Sequence, residues 1–144
     1  MAQFRLTYPV ELTPDEDGRV VARVPDVIGC VTDGADRAEA LVEAADALGE
    51  ALAATMAARE DIPLPSSAAG RPMVSPGAVI AAKVLLYLAM REAKATNVSL
   101  AAQLGCAESE VRRMLAPKHP TKIGRLEQAL AIFGRRLVIT VEAA

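Results

Sequence analysis

The sequence predicts an α+β domain followed by an all-α domain, and three observations carry that expectation. A period-two apolar alternation opens the chain at Gln3–Leu12, and helical spacing takes over at Asp36. A Pro/Ser/Gly-rich stretch then leads into a part that is helical almost to its end. Charge changes sign there too: residues 1–62 carry five Lys/Arg against thirteen Asp/Glu, and residues 63–144 carry eleven against five. Halves at −8 and +6, hidden in a net charge of −2, suit different partners, the basic one nucleic acid. With 144 residues, 52% of them hydrophobic, the chain has material for one ordinary domain or two small ones.

In the opening strand Phe4, Leu6, Tyr8, Val10 and Leu12 share one face, and Arg5, Thr7, Pro9 and Glu11 share the other. Pro9 has no amide to donate, so the strand lies at an edge or pairs on one side there. Asp15-Glu16-Asp17-Gly18 reads as a turn, Arg19–Val24 as the returning strand, and Cys30-Val31-Thr32 as a third short strand. Asp36, with Glu39 three residues later, satisfies the free amides at a helix start. Leu41, Ala45, Leu48, Leu52 and Met56 then form the core-facing stripe, and Asp36, Glu39, Glu43, Asp46 and Glu50 form an acidic row opposite. These elements make a sheet with a helix on it, over residues 1–61.

Residues 62–74 read as a linker, and Pro72–Ser75 is a candidate extra strand for the first domain. The second domain, 75–144, opens at Ser75-Pro76, a serine cap with proline at the first helical position, and its first helix runs to about Lys94. Thr96 or Asn97 caps the next helix and Gly105 ends it; Ala107–Leu115 follows, and Lys122–Phe133 is the last. Leu137, Val138, Ile139, Thr140 and Val141 form a terminal β-run, apolar on both faces, with no sheet of its own. Such an edge seeks another strand, so the run is expected to join two copies across a two-fold axis, the alternative being a strand folded back on its own domain.

Ser99–Leu115, S-L-A-A-Q-L-G-C-A-E-S-E-V-R-R-M-L, has the outline of a helix-turn-helix. Leu100, Ala101, Leu104, Val111 and Leu115 would form its core, and Gly105 its turn. The second helix would expose Glu108, Ser109, Arg112 and Arg113. Arginines can reach guanine edges or phosphates, Ser109 a phosphate, and Glu108 a cytosine amino group. Ser99, Lys118, His119, Thr121 and Lys122 complete the candidate DNA contacts. Ala107 stands where many such motifs carry a Ser or Thr cap, and Glu108 and Glu110 replace commoner neutral or basic residues. A helical hairpin with a solvated charged face is the plainer alternative.

No catalytic constellation is present. His119 is the sole histidine, and there is no Gly-rich phosphate loop and no metal-ligand spacing. The acidic row would hold Mg²⁺ only with carboxylates converging from other elements. No catalytic residue, cofactor or resident metal is therefore expected. Cys30 and Cys106 read as reduced thiols. No uncharged apolar run reaches membrane-spanning length and the first residues lack a secretory pattern, so a cytoplasmic, membrane-free protein is expected.

Tyr8-Pro9-Val10, Asp17-Gly18, Val24-Pro25-Asp26, Gly29-Cys30 and Gly34–Leu41, followed by Val74-Ser75-Pro76, Leu100–Gly105 and Gly134-Arg135-Arg136-Leu137, run in one order along almost the whole chain. In these the chain resembles the HicB family of antitoxins from bacterial toxin–antitoxin pairs. The resemblance implies a partial ribonuclease-H-like fold at the N-terminus, without nuclease activity, that binds and blocks HicA, a small basic mRNA-cleaving toxin. It also implies that the C-terminal domain binds operator double-stranded DNA and represses its own operon. Asp36, Glu39, Glu43, Asp46 and Glu50 would then be toxin contacts, since an acidic face can cover the cationic surface that a toxin offers to RNA. A homodimer is expected, with pairing of dimers into a tetramer left open. The competing readings are a stand-alone helix-turn-helix regulator whose N-terminal domain senses a small ligand, and a residual Mg²⁺-dependent nuclease.

Overall fold

Alternating apolar residues and two helix-capping signals resolve into ten elements in the computed structural model, which describes residues 3–143. They are β1 (Tyr8–Pro9), β2 (Glu11–Pro14), β3 (Val20–Arg23), β4 (Val31–Gly34), α1 (Arg37–Ala57), β5 (Met73–Val74), α2 (Ala78–Ala93), α3 (Asn97–Leu104), α4 (Glu108–Leu115) and α5 (Ile123–Ile132). The architecture is α+β, with small antiparallel sheets and five helices among the described residues. The chain divides into two compact units, Met1–Ala81 and Ala82–Ala144.

In the first unit β2, β3 and β4 form a three-stranded antiparallel sheet in chain order, with Leu12 opposite Ala22 and Ala22 opposite Thr32. The β2–β3 turn is closed by the Asp15 carboxylate, which accepts from the amides of Asp17 and Arg19 at 2.8 Å each. The single opening strand of the sequence reading is instead two short ones. β1 pairs with β5, Tyr8 opposite Val74, while β2 pairs with β3. Between them the Val10 amide donates to Pro72 O at 2.8 Å, so consecutive segments of one chain serve different partners. Leu6, Tyr8 and Val10 are buried as the alternation requires, whereas Phe4 at its outer end is exposed.

Residues 62–74, read from sequence as a linker, lie inside the first unit. Ile62 is buried, Tyr8 Oη donates to Pro63 O at 2.6 Å, and Ser66 donates both its amide and its hydroxyl to Asp26. Proline and serine there make tertiary contacts instead of leaving the segment free. Burial, helped by the nearby Asp26 charge, pushes the Tyr8 phenol up to about 12.

Helix α1 is capped by Asp36, whose carboxylate accepts from the Glu39 amide at 2.8 Å, and it packs against β3 and β4. Its buried stripe is Ala40, Ala44, Leu48, Leu52 and Met56, so the sequence reading had the first two turns out of phase. Leu41 and Ala45 are only half-buried. The phase is set by a close approach: a Cβ on Gly34 would lie 2.4 Å from Ala40 N and 2.8 Å from Ala40 Cα. The helix start thus lies with Ala40 against Gly34 at the end of β4, and the buried leucines come later, at Leu48 and Leu52.

The second unit packs α2 to α5 around Ala82, Leu86, Ala89, Met90, Leu100, Ala101, Val111, Met114, Leu126, Ala129 and Leu130. Helix α2 begins at Ala78, two residues beyond the proline start expected from sequence, and the Ser75 hydroxyl is turned to Pro76 O. The β-run expected at Leu137–Val141 is not a strand within this chain. Val138, Ile139 and Val141 are exposed, and an extended segment without a ladder partner gains no hydrogen bonds from being a strand.

Gly34→Ala is expected to lower the unfolding free energy by at least about 2 kcal/mol, because the clashing atoms are helix backbone and cannot rotate away. Urea denaturation checks this.

Candidate functional site

Helices α3 and α4 are both short, eight residues each, so their ends decide whether they form. Thr96 caps α3 in a reciprocal box: its hydroxyl accepts from the Ser99 amide, and the Ser99 hydroxyl accepts from the Thr96 amide, both at 3.0 Å. Ser99, a candidate DNA contact from sequence, thus has its hydroxyl committed to the cap, where it also donates to Thr96 O. Gly105 ends α3 at φ 68°, a left-handed conformation that costs glycine little. Cys106 follows, and α4 starts two residues later.

At α4 the N-cap is Ala107, with extended backbone and no side-chain hydrogen bond. Glu108 and Glu110 fill the first turn and Arg112 and Arg113 the last, an order that complements the helix dipole. This position gives both glutamates a local role in the helix. Each is also engaged by an arginine: Arg112 Nη2 donates to Glu108 Oε2 at 2.5 Å, and Arg125 Nη2 donates to Glu110 Oε2 at 3.1 Å. The Arg112 hydrogen bond holds the Glu108 carboxyl below its usual range and raises the guanidinium's own pKa. Val111 and Met114 face the core and Leu115 is half-buried, so Met114 holds the place that the sequence reading assigned to Leu115. Arg112 and Arg113 are exposed, and Ser109 is half-buried.

Beyond α4, Pro117 to Lys122 turn the chain into α5. Lys118 and Lys122 are exposed, and His119 and Thr121 are half-buried with His119 Nδ1 3.2 Å from Thr121 Oγ1. An open cleft of about 240 Å³ lies against this turn, lined by Arg113, His119, Lys122, Arg125 and Glu110 among others. Among the described residues, Arg113, Lys118 and Lys122 are in no ion pair, so their charge is available to an anion. The structure therefore brings Arg113, His119, Thr121 and Lys122 to one cleft, with Arg112 on the exposed side of the same helix.

One residue with a part in this geometry escaped the sequence reading. Lys83 lies on α2, fully buried, and its ammonium donates to three carbonyls at the end of α4 and in the turn that follows: Arg113 O at 3.4 Å, Ala116 O at 2.5 Å and His119 O at 2.6 Å. Burial pushes its pKa below the usual lysine value. The signal was there, a lone charge inside A-V-I-A-A-K-V-L-L-Y-L-A-M, but its acceptors are thirty to thirty-six positions away.

In the first unit Asp36, Glu39, Glu43, Asp46 and Glu50 are all exposed along α1, and Asp36 also caps the helix. The exposed Val42 lies beside them. Among the described residues no three His, Cys, Asp or Glu side chains are grouped to hold a metal ion, and no helix is long and apolar enough to cross a membrane. Cys30, buried with its thiol pushed up by desolvation, and Cys106 are both free.

Residues 7–85 match the family described as the HicB_like antitoxin of bacterial toxin-antitoxin system. Similar curated proteins extend over both units. Antitoxin HicB 2 of Photorhabdus laumondii is 39% identical over 132 residues, covering 92% of this chain and 94% of that protein. Antitoxin HicB 1 of the same organism is 34% identical over 95% of this chain and 88% of its own length. Antitoxin HicB of Escherichia coli K12 is 31% identical over 94% and 99%.

The bare N-cap of α4 has a measurable consequence. Ala107→Ser supplies the missing acceptor on backbone that is already extended, and is expected to stabilise the chain by about 1 kcal/mol in thermal or urea unfolding.

Proposed function

The chain belongs to the HicB-like antitoxin family, with an antitoxin role in a bacterial toxin–antitoxin system, and from that premise we propose that it neutralises a small basic HicA-type mRNA-cleaving toxin and represses its own operon. The first unit, read as a partial ribonuclease-H-like fold, carries the toxin surface. Asp36, Glu39, Glu43, Asp46 and Glu50 meet the cationic face with which such a toxin holds RNA, speeding encounter and excluding substrate. Helices α3 and α4, read as a helix-turn-helix, dock on operator DNA. Arg112 and Arg113, with Ser109 and Glu108, face the major groove, and Lys118, His119, Thr121 and Lys122 follow the phosphates. The protein works in the cytoplasm without a cofactor and has no catalytic step of its own.

The observation that carries this reading is the division of charge between two separately packed units, an acidic helix face on one and a cluster of unpaired cations on the other. A single solvated surface would need neither segregation nor a cleft that gathers Arg113, His119, Lys122 and Arg125.

Repression by a palindrome reader requires two copies, with recognition helices about 34–36 Å apart. The exposed Val138, Ile139 and Val141 supply the pairing edge, each copy becoming the other's strand partner. Replacing Ile139 and Val141 with lysine is expected to convert the dimer to a monomer in sedimentation velocity and to weaken operator binding. A dimer that persists in that variant removes the terminal run from the reading.

Replacing Arg112 and Arg113 with alanine is expected to cost about 10- to 100-fold in operator affinity per arginine while leaving toxin neutralisation intact. Co-expression with the adjacent gene, scored by growth rescue and co-purification, measures the second activity. Gel shift on the duplex upstream of the coding sequence measures the first. Loss of both activities in a folded variant would contradict the division of labour.

A further inference from the structure

Lys83 is the one charged side chain wholly buried among the described residues, and it reaches no carboxylate. Its three N–H donors meet three main-chain carbonyls, which is full satisfaction for an ammonium group. The acceptors follow one another along the chain, at Arg113, Ala116 and His119, and so trace the end of α4 and the turn that follows. Two of them have amide partners within the same turn: Ala116 O accepts from the His119 amide at 3.1 Å, and His119 O from the Thr121 amide at 2.9 Å. A cation placed at the carbonyl end of a helix is favoured by the dipole as well. Lysine here is an internal spoke on which the turn from Ala116 to Thr121 is wound.

That turn carries Lys118 and leads directly into Lys122. Lys118 and Lys122 project from it to solvent, His119 and Thr121 line the cleft, and Arg113 stands one helical turn before it. Two prolines, Pro117 and Pro120, deprive it of amides that could otherwise hold it by backbone hydrogen bonding. We propose that Lys83 is a positioning residue for nucleic-acid binding: from the core it holds the Ala116–Thr121 turn in the shape that presents Lys118 and Lys122 to DNA phosphates, without touching DNA itself. This rests on the DNA-binding reading above and adds a residue on a different helix to it.

The test is Lys83→Met in the full-length chain, checked for folding by circular dichroism and titrated with the duplex upstream of its own coding sequence over a range of salt. Each phosphate contact steepens the dependence of log affinity on log salt by about 0.9. The variant is expected to lose at least about tenfold in affinity and to flatten that slope by about 2, for the two lysines withdrawn. A mere fall in the folded fraction would lower affinity equally at every salt concentration and leave the slope alone. In a Lys118→Ala, Lys122→Ala background, Lys83→Met is expected to cost nothing further. An unchanged slope, or a loss fully additive with the two surface lysines, overturns the inference. If Lys83→Met does not fold, the Lys118→Ala, Lys122→Ala variant decides by itself, and an unaltered slope there overturns it equally. Failure of the wild-type chain to bind the duplex overturns instead the DNA-binding reading.

Discussion

A buried ammonium meeting three carbonyls is the contact on which the second unit is organised. Taking a lysine out of water costs several kcal/mol, and only acceptors that are themselves fixed can offset it. Lys83 finds them at the end of α4, so α2, α4 and the turn before α5 hold one another in place. The apolar cluster around Leu86, Leu100, Val111 and Leu126 brings the four helices together, but apolar contact is non-directional. The lysine adds direction. It selects one way for the proline-bracketed turn to run, and with it the place of the cations that the turn displays.

The first unit obtains its order from a different constraint, the closeness of backbone at Gly34. With helix atoms where a Cβ would stand, α1 can cross the end of β4 only in one phase. That phase buries Ala40 and Ala44 and sends Glu39, Glu43, Asp46 and Glu50 to water together. The acidic row is thus a by-product of packing in its position and a chemical feature in its composition.

The glutamates of α4 find a local use. At the first turn of a helix whose N-cap is alanine they face the positive end of the dipole, and Arg112 and Arg125 engage them. Arg113, Lys118 and Lys122 keep their charge for the surface. Among the described residues, the two glutamates of α4 are tethered to arginines while Arg113, Lys118 and Lys122 are in no ion pair.

How much of this the sequence reveals follows from the range over which each pattern acts. Alternation at Leu6, Tyr8 and Val10, the Asp15–Gly18 turn, the Asp36 cap and the α3–Gly105–α4 pattern all involve neighbours within four positions, and each was legible directly. So was the sign change in charge, since it needs no geometry. What tertiary structure alone decided lies at longer range. The phase of α1 depended on Gly34 meeting Ala40, the opening strand was divided by β5 returning from residue 73, and residues 62–74 were drawn onto Tyr8 and Asp26. Lys83 gains its role only where carbonyls thirty to thirty-six positions away close around it. A local pattern records which face a residue prefers; which atoms arrive opposite that face is set only when distant segments pack.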